Sequence, residues 1–188
     1  MEERISWFPI AERSTLSSET QALFAQLDEK PGFVPNVFRA FAWRESRFAK
    51  WRVHFEELMQ PTAGLSRAER EMVSVAVSMQ NQCLYCLTAH GFSVRALTKD
   101  PVLGDRITLD YRRAGLPARQ VAMLDYAVKI TNHPADCNEA DIEGLRGHGF
   151  NDEDIWDIAE VAAMFNFTNR LASATGMMPN PEYQSLAR

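Results

Sequence analysis

Residues Glu69 to His90 read EREMVSVAVSMQNQCLYCLTAH, and the reading of this stretch decides the fold. Ser66 just ahead of it, with Glu69 three residues later, has the pattern of a capping box, so a helix starts there. That helix is expected to run to about Gln80. Asn81-Gln82 reads as a break, and a second helix is expected from near Cys83 to about Leu97. The two would form a central antiparallel helix hairpin carrying CxxC.

Helical signals continue on both sides. Glu19 to Lys30 reads as a helix stopped by Pro31-Gly32, and PGFVPNVFRAF (31–41) as a turn-rich apolar segment leading into a short helix. Glu45 to Gln60 reads as a helix ended by Pro61 and Gly64. Beyond the hairpin, one helix is expected from near Asp100 to Gly115 and another from Pro117 through Ile130. A shorter one should span about Asn138 to His148. Asn151 should cap the last long helix, ending near Gly176 before Pro179 and Pro181. No run of alternating β-type residues stands out. Ser66–Gly91 can be laid over Asn151–Gly176 without a gap, but the identities are too few to argue for a duplication. The expectation is an all-α fold in a single domain over residues 1–188.

Bulk properties narrow the function classes. Hydrophobic residues make up 46% and charged residues 24%, as in an ordinary globular chain able to bury a core without staples. A net charge of -5 with no basic run leaves no electrostatic footprint for nucleic acid. No segment approaches the ~20 apolar residues needed to span a membrane, and MEERISWFPI has no stretch of signal-peptide length. A cytoplasmic location is therefore expected. In a reducing compartment, closely spaced cysteines read as redox or metal chemistry rather than as staples.

Cys83 and Cys86 lie one helical turn apart, close enough to form a disulfide or share a metal. At the start of a helix, free amides and the helix dipole favour a thiolate. His90 follows Cys86 by four residues and should share its face, where an imidazole could take the thiol proton. Across the hairpin, Glu71 and His90 should differ in height by only ~3 Å at a rise of ~1.5 Å per residue. Taken alone, Glu71 reads as a solvated helix position. Within the apolar run, an unpaired carboxylate would be costly, which favours a Glu–His–Cys relay. Two other readings stay open. Cys137, His133 and His148 could complete a metal set with Cys83, Cys86 and His90. The cysteines could also be inert core residues.

A glutamate, eleven residues, CxxC, three residues and a histidine resembles the pattern of the alkylhydroperoxidase D-like family, which includes the carboxymuconolactone decarboxylases. GFVPNVFRAF (32–41) and MFNFTNRLASATGM (164–177) are similar to the branch usually called peroxidase-related enzymes. The resemblance thus spans nearly the whole chain. Tyr85 stands where the best-studied type of member has a second histidine. It is a possible relay or pocket residue. The presence of both cysteines argues against the decarboxylase branch. The resemblance implies a thiol-dependent peroxidase without cofactor or metal. Cys86 would attack a hydroperoxide, His90 and Glu71 would serve as base and orienter, and Cys83 would resolve. It also implies a thioredoxin-like or lipoyl-bearing protein as dithiol reductant, and a homo-oligomer, for which the eleven Phe, four Trp and eight Met supply apolar surface. The alternative from a different class is a non-catalytic redox-sensing or binding module.

Overall fold

The computed structural model of the protein describes residues 4–188. Met1 to Glu3, part of the stretch read above as lacking a leader, lie outside the described residues. Among those described, every regular element is a helix: α1 (Ser18–Glu29), α2 (Asn36–Phe41), α3 (Glu45–Leu58), α4 (Arg67–Gln80), α5 (Leu84–Thr98), α6 (Pro101–Asp110), α7 (Ala118–Asn132), α8 (Glu139–Gly147), α9 (Asp152–Ala174) and α10 (Glu182–Ser185), with short 3₁₀ turns between some of them. None of these helices is long and apolar enough to cross a membrane.

The centre of the molecule is α4. Its ten consecutive residues Glu69 to Ser78 are all buried, because α5, α6, α7 and α9 pack around it. Met72, Val73, Val75, Ala76 and Val77 meet Met123, Leu124, Ile158, Val161 and Phe165 in the main core. Fully burying a side chain of valine size contributes roughly 1.5–3 kcal/mol. Ser74 and Ser78 are tolerated inside because each hydroxyl donates to the carbonyl four residues back, at 2.8 and 2.6 Å.

The capping box at the start of α4 is present, with Ser66 and Glu69 bonded reciprocally. Its other end shows how the break at Asn81-Gln82 works. Gln82 takes φ 50°, its N–H donates to Met79, and the Cys83 N–H donates to Ser78. This is the closure that usually recruits glycine, and glutamine adopts it at a strain of roughly 1–2 kcal/mol. Cys83 thereby ends one helix and, in extended conformation, starts α5. Gly176 closes α9 in the same way, with φ 61° and the Met177 N–H on Ala172.

Two boundaries differ from expectation. The helix expected from Asp100 to Gly115 ends at Asp110, whose side chain accepts from the Arg112 N–H and turns the chain into a 3₁₀ segment. That turn buries Tyr111, with its hydroxyl on Asp125 at 2.6 Å. Local side-chain bonding of this kind competes with helix continuation. The short α10, after Pro181, was not foreseen. Its Tyr183 packs edge-on against Phe33, joining the two chain ends over the hairpin.

Candidate active site

The packing of α4 against α5 sets Glu71 beside His90, with Glu71 Oε2 2.6 Å from His90 Nδ1. Glu71 is only 1% exposed, against the solvated position that its sequence context alone suggested. Its other oxygen, Oε1, accepts from Arg67 Nη2 at 2.9 Å and Nε at 3.1 Å. Burial pushes the carboxyl up, but His90 and Arg67 together outweigh it and hold Glu71 below the usual carboxylate range. Arg67 is held in turn by the Met59 carbonyl at 2.8 Å. Sequence reasoning missed Arg67. The available signal was its place four residues before Glu71, the spacing of a helical ion pair. The His90 ring stands perpendicular to Phe165, with ring centres 4.6 Å apart, which fixes its plane.

Cys83 and Cys86 are neighbouring free thiols, both buried. Cys83 is pulled down to about 6. The Cys86 thiol donating to its sulfur outweighs burial, and the Cys86 amide, the Ser173 hydroxyl and the charge of His90 add to the effect. Cys86 moves the other way, well above the usual thiol range, because it keeps the proton it donates and because it is buried. Asn169 and Ser78 oppose that rise. The pair therefore shares one proton, and the resting charge sits on Cys83 rather than on the cysteine nearer His90 in sequence. His90 reaches Cys83 through its charge. Its Nδ1 is occupied by Glu71. A thiol with a pKa near 6 is ~90% ionised at pH 7, against ~1% for one near 9. Alkylation of Cys83 by a small thiol reagent should accordingly rise with pH around a midpoint near 6. A midpoint near 9 would show that the two sulfurs do not share a proton.

Beside the pair lies a cavity of about 240 Å³. Cys86 lines it with His90, Glu71 and Arg67, and Cys83 does not. The remaining walls are mostly aromatic, from Phe33 and Phe38 at the amino-terminal end to Phe165 of α9 and Tyr183 of α10. Tyr85 also lines it. Its hydroxyl accepts from the Val37 N–H at 3.1 Å, and burial with Tyr183 nearby keeps it a neutral phenol. It can donate a hydrogen bond but is a poor base.

The cysteine and histidines of the other half of the chain do not join this group. Cys137 sits after α7, and burial with the Asp141 charge pushes its thiol up. Among the described residues, no cluster of three or more His, Cys, Asp or Glu is arranged to hold a metal ion.

Residues 47–107 match the carboxymuconolactone decarboxylase family. The chain is 42% identical to a peroxidase-related protein of Ralstonia eutropha JMP134 described as an alkylhydroperoxidase AhpD core, over 99% of this chain and 98% of that one, with a TM-score of 0.95. A peroxidase-related protein of Silicibacter sp. TM1040 is 48% identical over 99% and 97% of the two chains, with a TM-score of 0.93. The debrominase Bmp8, solved with 2,3,4-tribromopyrrole, shares the fold at 14% identity over 98% and 96% of the chains, with a TM-score of 0.78. No curated protein sequence matches the chain.

Proposed function

The chain belongs to the alkylhydroperoxidase D-like and carboxymuconolactone decarboxylase family, in its peroxidase-related branch, and from that premise we propose that it reduces hydroperoxides through a Cys83–Cys86 dithiol cycle. The observation that carries this reading is a pair of buried free thiols whose Cys86 lines an aromatic cavity beside the Glu71–His90 pair. Cys86 attacks the outer peroxide oxygen as its proton passes to Cys83. The O–O bond breaks, Cys86 becomes a sulfenic acid, and the alkoxide leaves as the alcohol with a proton supplied through His90. Glu71 holds one hydrogen on Nδ1 and stabilises the imidazolium, whose Nε2 hydrogen is the one given to the alkoxide. The Cys83 sulfur then displaces the sulfenic oxygen as water, closing the disulfide. A dithiol protein, thioredoxin-like or lipoyl-bearing, returns two electrons and two protons by exchange.

The experiment is peroxide consumption with a recycling dithiol donor. Sustained turnover supports the enzyme. One oxidation followed by arrest would favour a redox sensor instead. One equivalent of peroxide should join Cys83 to Cys86 and leave Cys137 free, because Cys137 is raised and has no paired base. Peptide mapping reads this directly, and a dominant link to Cys137 would remove Cys83 from the resolving role. We also propose a homo-oligomer, since Trp156 at 72% and Leu109 at 80% stand exposed in the single chain. Sedimentation at micromolar concentration should find more than one copy, and a monomer would overturn it.

A further inference from the structure

Cys83 is 1% exposed and Cys86 3%, so a disulfide between them is sealed from the dithiol protein that the proposed cycle requires. A small peroxide fits a cavity of about 240 Å³, but a folded partner does not. Thiol–disulfide exchange needs the partner's sulfur in contact with one of the pair. Part of the wall must therefore give way in the oxidised chain.

Besides the long helices, two short stretches of chain close the cavity: residues 31–38, with Phe33, Pro35 and Val37, and α10, with Tyr183. Asn180 ties them together, its Oδ1 accepting from the Asn36 N–H at 2.6 Å and its Nδ2 donating to the Val34 carbonyl at 3.1 Å. They are fastened to α5 at opposite ends. Arg95, in the last turn of α5 and so at the end away from the sulfurs, donates to the Tyr183 carbonyl at 2.7 Å. At the near end the fastening is Tyr85. α2 begins after Pro35, which offers no side-chain cap, and the first amides of a helix have no partner within it. The Val37 N–H donates instead to the Tyr85 hydroxyl, at 3.1 Å. Beyond Val37, Phe38 and Phe41 pack edge-on against Trp51 of α3 and do not depend on Tyr85.

Tyr85 also lies between the two cysteines. Cys83 caps α5 in extended conformation, and Leu84, Tyr85 and Cys86 form its first turn. A disulfide is shorter than any contact between free thiols, so joining the sulfurs draws cap and turn together, and Tyr85 rides on that turn. We propose that Tyr85 is a redox-sensitive tether: with free thiols its hydroxyl holds Val37 and keeps the wall shut, and closure of the Cys83–Cys86 disulfide draws it off Val37, loosening residues 31–37 so that the dithiol partner reaches the sulfurs. The inference rests on the proposed dithiol cycle. One thiolate of the partner attacks the disulfide, the S–S bond breaks, and the released cysteine takes a proton. The partner's second thiol then displaces the mixed disulfide and gives up its proton, so the other cysteine returns as a thiol and the partner leaves oxidised. Tyr85 acts here as a positioning residue, through the wall and not on the reacting atoms.

The test is hydrogen exchange at single backbone amides of the full chain, read by NMR with the thiols reduced and again after diamide has joined Cys83 to Cys86. The Val37 amide should exchange roughly 2- to 10-fold faster in the disulfide form, the worth of one hydrogen bond. The Ala42 N–H, bonded to the Phe38 carbonyl within α2, should keep its rate. Tyr85→Phe retains the ring and removes the acceptor. In that variant Val37 should exchange at the fast rate in both forms, so the dependence on redox state disappears. With the thiols reduced, Tyr85→Phe should also raise alkylation of Cys86 by a bulky maleimide relative to iodoacetamide, because the wall is already loose. Equal Val37 exchange in the two forms of the unsubstituted chain, a redox difference that survives in Tyr85→Phe, or an equal change at Ala42 overturns the proposal. So does failure of diamide to join the pair. No peroxide is needed, so the two readings fail separately. If peroxide is consumed and Val37 does not respond, only the tether is lost. If Val37 responds and no peroxide is consumed, the tether stands and the peroxidase reading falls.

Discussion

Cys86→Ser is expected to abolish peroxide turnover, with a loss on the order of 10³-fold or more, as when a covalent nucleophile is removed. The serine hydroxyl is close to isosteric and can still donate to Cys83, so the fold should persist. It cannot form the sulfenic acid. Cys83 keeps a partner donor but does not line the cavity, so a peroxide bound there meets no sulfur. Cys83→Ser should behave differently. Cys86 can still react once, but the sulfenic acid has no neighbour to displace it, and turnover should stop after one equivalent. Peroxide consumption with dithiol donor, followed by mass measurement of the oxidised protein, separates the two. If Cys86→Ser turns over and Cys83→Ser does not react at all, the roles of the sulfurs are reversed.

Glu71→Gln should cost on the order of 10²-fold in peroxide reactivity, the range of general acid–base catalysis, with little loss of folded protein. The argument is one of hydrogens. Arg67 faces Oε1 with two N–H groups, so a glutamine must turn its carbonyl to Arg67. Its NH₂ then faces His90 Nδ1, which must become an acceptor. A protonated His90 would then set its Nδ1–H against the glutamine N–H and lack an anionic partner, so the imidazolium that delivers the proton to the leaving alkoxide is disfavoured. The loss should exceed that of Arg67→Lys, which keeps a cation beside Oε1. Rates followed from pH 5 to 9 check this. A wild-type rate throughout would show that the Glu71–His90 pair has no part in the chemistry.

Much of the fold was legible because helix starts and stops are local events. Ser66, Asn138 and Asn151 each accept from the backbone of the first turn, as their positions before helical stretches indicated. Asp110 escaped notice because an aspartate can cap a turn or sit on a helix surface, and only the burial of Tyr111 selects between them. The four residues Glu71, Cys83, Cys86 and His90 could be picked out by type and spacing, since contacts across a hairpin follow from helical rise.

What the sequence determined by itself was this set of groups and the helices that carry them. It could not show that Glu71 is buried to 1%, because that depends on α7 and α9 packing on α4 from far along the chain. Nor could it assign the shared proton. Cys83 and Cys86 are alike in type, and their difference arises from the hydrogen bond between them and from how deeply the packed helices bury each sulfur. The Val37 amide finds its acceptor on Tyr85 only because the fold brings α2 to the start of α5. Capping and periodicity are decided within a few residues. The partner of a buried polar group is decided by whatever the tertiary fold places beside it.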